Sequence, residues 1–231
     1  MNTPETSFEV NGSSSAPVRV VLRPVGPPLT VGLSGLGIAS LVESGLGLGW
    51  IASSQAREVG VVLIAVPFVL QLLACIFCYL ARDGATGAAV GVLSTTWLGI
   101  GVLHLIAGGT GRGGAMGLLL LAAGFALAVS ASSVARANRL AGLVFLLAAL
   151  RFALAGVYDL GASDTWSHVA AVVGLVVSGA AAYAVLAFEL EGQQRHPVLP
   201  TFRHERGRVS AGESGDALKA IMREPGVRET S

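Results

Sequence analysis

Charge is what this chain lacks. Of its 231 residues only 13% are Asp, Glu, Lys or Arg, about half the roughly 25% of an ordinary soluble domain. The shortage is uneven, because residues 29–107 and 115–189 are almost free of charge while the two ends hold most of the Arg and Glu. That pattern excludes a soluble enzyme and a disordered chain. It also excludes a nucleic-acid binder, which needs a basic surface. Cysteine is scarce too. Cys75 and Cys78 lie inside one apolar run without further ligands or basic neighbours, so they read as packing residues and imply neither a disulfide framework nor a zinc or redox site. No nucleophile–base pair stands out, and GGTGRGG at 108–114 lacks the Lys-Ser/Thr of a phosphate-binding loop. The expectation is a non-enzyme with no metal and no cofactor.

What the chain has in excess is apolar sequence, 53% of residues, with a mean hydropathy of +0.70. Six apolar segments, at about 29–49, 60–81, 86–107, 115–133, 140–158 and 166–188, each supply the ~20 residues that cross a hydrocarbon core as a helix. None alternates in the manner of a membrane barrel strand. The expected fold is an all-α integral membrane protein, a six-transmembrane-helix bundle spanning 29–189. It is flanked by a polar N-terminal tail, 1–28, and a charged C-terminal tail, 190–231, both expected to be disordered. In the second tail DALKAIMRE has the spacing of a short amphipathic helix. No signal peptide is expected, since Glu5 and Glu9 precede any apolar core.

Positive charge sets the orientation. Arg19, Arg23, Arg82, Arg136, Arg139 and the basic residues of the C-terminal tail fall on one side of the predicted bundle, against Arg57 and Arg112 on the other. Both termini are therefore expected in the cytoplasm of a cell whose cytoplasmic (inner) membrane holds the protein. Many of the 31 glycines lie within the spans, as in GLSGLG at 32–37 and GLGLG at 45–49. Such small-residue stripes fit close helix packing, either inside one bundle or between copies of the chain.

Polar groups inside a membrane are costly and are functional candidates for that reason. At ~1.5 Å per residue, Gln71 and Arg151 each lie roughly 16 Å from a predicted helix start, near the middle of a ~30 Å core. Glu43 falls about 5 Å further outward than Arg151. Two readings of Arg151 stand side by side: an ion pair with Glu43 that joins helices one and five, or a pore residue that attracts an anion. His104 and His168 are expected near the outer mouth, as amphipathic boundary residues or as proton sensors. Ser34 and His168 resemble the serine–histidine pair of rhomboid-type proteases, but a separation of ~20 Å removes that chemistry.

Several of these segments together resemble the acetate uptake transporter family. The match rests on HVA (168–170), GL (174–175), Tyr183 and VLP (198–200), on the stretch from Gln71 and Ala74 to Trp97, on GLSGLG after Pro28, and on Arg139, Phe145 and Phe152. It covers most of residues 27–200. The resemblance implies a six-helix channel or proton-coupled transporter for acetate and related small carboxylates such as succinate. It also implies a homo-hexamer with one pore per protomer, narrowed by a Phe, a Tyr and a Leu. By position the Phe corresponds to Leu36 and the Tyr to Leu93, and Arg151 stands at or beside the Leu. The chain departs from the family pattern elsewhere. PVGPP lacks the family's Asn, and two glutamates of the pattern correspond to Cys78 and Val173.

The leading expectation is thus a small-carboxylate channel or transporter in the lipid bilayer. Its path would run past Leu36, Gln71, Leu93 and Arg151. The alternative is a non-transporting membrane protein whose C-terminal tail docks a partner.

Overall fold

The computed structural model describes residues 27–108, 113–194 and 199–200. Most of the two expected tails, including DALKAIMRE, lies outside the described residues. Seven α-helices appear among those described: α1 (Pro28–Gly47), α2 (Ala56–Leu63), α3 (Val69–Leu80), α4 (Gly84–Ala107), α5 (Gly114–Ala137), α6 (Arg139–Asp159) and α7 (Asp164–Gln194). A π-helical turn, Ile64–Phe68, joins α2 to α3, so the helices amount to six spans long and apolar enough to cross a membrane. The protein is a multi-pass membrane protein. Observed limits fall within a few residues of the predicted ones for most spans. The second begins earlier, at Ser53, and the last runs beyond residue 189 to Gln194 through Glu189 and Glu191, good helix formers that continue the helix without an apolar stripe.

The spans form a closed ring in chain order. α1 packs on α3, α3 and α2 on α4, α4 on α5, α5 on α6, α6 on α7, and α7 returns to α1. Chain ends and short turns enforce this order. Asn138 alone separates α5 from α6, and its side chain caps α6 by accepting from the Ala141 N–H at 3.1 Å. Asp83 caps α4 in the same way from the Thr86 N–H, also at 3.1 Å. Outside the ring, Leu72, Ile76, Phe77, Leu118, Phe125, Leu143, Leu146, Val172 and Leu186 are exposed. An apolar exterior of this kind suits hydrocarbon as its solvent.

Glycines make the seams of the ring tight. A Cβ on Gly60 (α2) would meet the Gly101 carbonyl oxygen of α4 at 2.6 Å, and one on Gly156 (α6) would meet the Gly117 oxygen of α5 at 2.8 Å. In α1, Gly32 faces Val90 and Ala74, and Gly35 faces Gln71 and Pro67. Gly47 sits against Ala171 of α7. The small-residue stripes thus serve packing within one chain, where lipid offers no hydrophobic drive and close backbone approach supplies the attraction.

The π-turn is a feature that hydropathy did not predict. Pro67 has no N–H to continue the α ladder, and the backbone widens around it. Ser94 of α4 donates to the Phe68 carbonyl at 3.0 Å, which satisfies a main-chain acceptor beside the irregular turn.

Candidate functional site

Because α1, α4 and α6 run away from the end that holds Pro28, and α2, α5 and α7 return toward it, residues late in the first group and early in the second share the opposite end. A cavity of about 760 Å3 is found there. Ser53, Asp164, Ser167 and His168 line its mouth, Glu43 and His104 its wall, and Arg151 its deepest part, with Tyr158 and Asp159 nearby. Its lining residues all belong to that half of the bundle.

Arg151 projects from α6 into the ring and is 6% exposed. Its guanidinium carbon lies 5.1 Å from the centroid of the Trp97 ring of α4 and 6.0 Å from that of Phe152. Trp97 and Phe152 themselves meet edge to face at 5.2 Å. Room for the side chain comes from Gly174 of α7. A Cβ there would stand 2.7 Å from Arg151 Nε and 3.2 Å from its Cδ, with Ser44 Oγ of α1 against the same point. A cation on an aromatic face gains about 2 kcal/mol or more when desolvated, but the ring carries no net charge. Placing an Arg at mid-membrane costs at least ~2.5 kcal/mol. The aromatic contact therefore leaves the guanidinium short of counter-charge. Arg151 Nε, Ser44 Oγ and Trp97 Nε1 are all buried and make no hydrogen bond among the described residues.

Glu43 does not supply that counter-charge by contact. Its Oε1 is 2.8 Å from His104 Nε2, and the two side chains are 15% and 17% exposed respectively. Since a carboxylate only accepts, the imidazole nitrogen is the donor. No ion pair joins Glu43 to Arg151 among the described residues. The expected Glu43–Arg151 bridge is thus replaced by a Glu43–His104 bridge from α1 to α4. The physical reason is reach: the imidazole of α4 puts a donor nitrogen 2.8 Å from the carboxylate.

His168 lines the same cavity but is exposed, and its Nδ1 contacts the Asp164 carbonyl of its own helix at 3.0 Å. Gln71 is fully buried and donates through Nε2 to the Gly32 carbonyl of α1 at 3.2 Å, leaving its Oε1 without a partner. Leu36 and Leu93 are also fully buried, and neither lines the cavity. By helical rise they lie about 10 Å beyond Glu43 and about 15 Å beyond Leu103, on the far side of the Arg151–Trp97 layer. The structure thus brings Glu43, His104, Arg151 and His168 together and keeps Leu36, Gln71 and Leu93 below them. Ser44, Trp97 and Gly174 pack around the Arg151 side chain. Only the expense of Arg151 pointed toward them. Ser34 donates to the Thr30 carbonyl of its own helix at 2.9 Å. Among the described residues no group of three or more His, Cys, Asp or Glu could hold a metal ion.

Fold and site together define a six-span helical membrane protein, closed into a ring, with a one-sided polar cavity ending on a buried cation. A solved structure with this fold is that of the bacterial acetate channel SatP. It superposes with a TM-score of 0.68 at 21% identity, over 77% of this chain and 99% of that one. No family model matches the chain, and no curated protein matches it by sequence.

Proposed function

We propose that the chain is a divergent member of the acetate uptake transporter family and passes small carboxylate anions such as acetate across the membrane. The observation that carries this reading is Arg151, a nearly buried guanidinium at the inner end of an open cavity, in no ion pair with a carboxylate among the described residues. An anion entering the cavity gives that cation the counter-charge its surroundings withhold. The SatP likeness supports the reading through the fold alone.

In this reading the substrate descends past Glu43 and His104 to Arg151, then crosses the Trp97–Phe152 layer. Leu36 and Leu93 form an apolar gate beyond it, which conducts only when it widens enough to admit the ion. Gln71 borders that lower path with an unpartnered Oε1. The Glu43–His104 pair offers a proton-exchanging group beside the route, which suits proton-linked transport. The excess of Arg in the short loops on the terminal side argues for cytoplasmic termini in the cell's cytoplasmic membrane. By resemblance the assembly is a homo-hexamer.

The test is acetate flux into proteoliposomes, wild type against Arg151→Leu, with insertion and folding matched. Flux that falls about tenfold or more in the variant supports an anion path along α6. Wild-type protein that passes no acetate above the leak of empty vesicles overturns the transport reading. Equal flux in both removes Arg151 from the path.

A further inference from the structure

Of the six spans described, the second is broken near its middle. It runs from Ser53 to Leu80, and within it Ile64–Phe68 is the π-turn where Pro67 withholds an N–H from the ladder. Another irregularity follows its inner end. There Arg82 holds φ at +62°, a left-handed conformation that residues other than glycine seldom adopt. Between the two points α3 (Val69–Leu80) is 12 residues of regular helix. It is a stiff rod with a backbone discontinuity at each end.

The contacts on the two sides of the π-turn differ in kind. Toward the cavity, α2 meets α4 backbone to backbone. A Cβ on Gly60 would stand 2.6 Å from the Gly101 carbonyl oxygen, and one on Gly101 would stand 2.9 Å from the Gly60 oxygen. On the other side, α3 meets α4 through side-chain ends. Cys75 Sγ lies 3.0 Å from the Cβ position of Gly91, and the Tyr79 ring lies 3.0 Å from that of Gly87. Toward α1 the fastening is the Gln71 donation to the Gly32 carbonyl at 3.2 Å, a neutral hydrogen bond of the kind worth well under 2 kcal/mol in a membrane. The α2 half is thus fixed, and the α3 half rests on groups that can rotate or let go.

The turn also touches both sides of the proposed gate. Its Pro67 oxygen lies 3.3 Å from the Cβ position of Gly35, and Ser94 donates to its Phe68 carbonyl at 3.0 Å. Gly35 and Ser94 are next in sequence to Leu36 and Leu93.

We infer that α3 is the moving part of the gate: it pivots at Ile64–Phe68 and at residues 81–83 and bows away from α1 and α4, which gives Leu36 and Leu93 room to part. This rests on the transport reading above and adds how its path opens. Both leucines are fully buried in close packing, so neither turns aside until a neighbour withdraws. Leu70 Cβ and Gln71 Cγ, at 3.3 and 3.0 Å from the Gly35 Cβ position, withdraw with the rod. Hinges of this type confine the change in φ and ψ to a few residues at the ends of an element.

The experiment locks the rod in place through Gly91→Cys. The 3.0 Å from Cys75 Sγ to the Cβ position of Gly91 matches the roughly 3 Å between a Cβ and the far sulfur of a disulfide. Diamide takes two electrons and two protons from the thiol pair to close the bridge, and dithiothreitol reopens it. Acetate flux is measured in proteoliposomes of wild type, Gly91→Cys and Pro67→Ala, with closure followed by mass-tagging of free thiols after denaturation. Bridged Gly91→Cys should carry acetate about fivefold more slowly than the same protein reduced, while diamide leaves the wild type unchanged. Pro67→Ala returns an N–H to the turn, so flux should fall about threefold with no loss of thermal stability. Equal flux in the bridged and reduced states overturns the inference and leaves the transport reading standing. If the bridge does not close, or the reduced variant is inactive, Pro67→Ala decides: the threefold fall supports the hinge and wild-type flux overturns it. No acetate passage by the wild type overturns the transport reading and this inference with it.

Discussion

Gly174→Ala isolates the role of the groove that receives Arg151. The new Cβ would stand 2.7 Å from Arg151 Nε, so the guanidinium must withdraw by about 0.7 Å to reach an ordinary contact of 3.4 Å, and Ser44 must move as well. Trp97 and Phe152 occupy the space on its other side, which makes the withdrawal a displacement of the whole side chain. Overpacking of this kind costs about 1–3 kcal/mol. Alanine returns about 1 kcal/mol of helix propensity over glycine, so the net loss of stability should stay below about 2 kcal/mol and the protein should still fold. Function should suffer more. A loss of about 1.4 kcal/mol in anion attraction at a displaced guanidinium is tenfold in binding, and acetate flux should fall by about that factor. Gly179→Ala is the control on the same helix, because nothing lies within 4 Å of its Cβ position. It should leave flux unchanged and raise thermal stability slightly. Stopped-flow acetate uptake and a thermal melt on both variants form the assay. Wild-type flux in Gly174→Ala would refute the view that Arg151 works from this groove.

Other perturbations bear on the frame and the gate. Ser94→Ala removes the hydroxyl that donates to the Phe68 carbonyl and should cost about 0.6–1 kcal/mol in a melt, with flux changed less than twofold. Gly60→Ala drives a Cβ to 2.6 Å from the Gly101 carbonyl oxygen and 3.0 Å from His104 Cβ. Neither neighbour is the end of a flexible side chain, so folded yield by size-exclusion chromatography should drop severely. Leu93→Ala shortens a fully buried side chain of the proposed gate and should raise acetate leak through otherwise intact protein. Deleting residues 201–231 should leave acetate flux intact. Loss of flux there would instead favour a role for the C-terminal tail.

The fold was legible because a membrane imposes one requirement on every span. Each needs about 20 apolar residues with internally satisfied backbone bonds, and that requirement is local, so hydropathy finds it even in the Ala- and Gly-rich α5. The π-turn at Ile64–Phe68 was not legible, because its apolar residues satisfy the same requirement. Pro67 is the one local sign of it. The glycine stripes could not assign their own partners, since one pattern serves packing within a chain or between chains. The Gly60–Gly101 and Gly117–Gly156 approaches assign these glycines to the chain's own seams.

The site shows where depth along a helix stops being enough. Residue rise sets Arg151 deep and Glu43 and His104 toward one mouth, because height depends on one helix at a time. Partnership depends on which helices adjoin and which way each side chain points. Glu43 was near enough in height to meet Arg151, yet His104 of α4 offers it a donor at 2.8 Å. That choice has a chemical consequence. Had Glu43 paired with Arg151, the floor would hold an internally neutral bridge with little attraction for an anion. With Glu43 engaged by His104, the guanidinium keeps its charge for whatever enters the cavity.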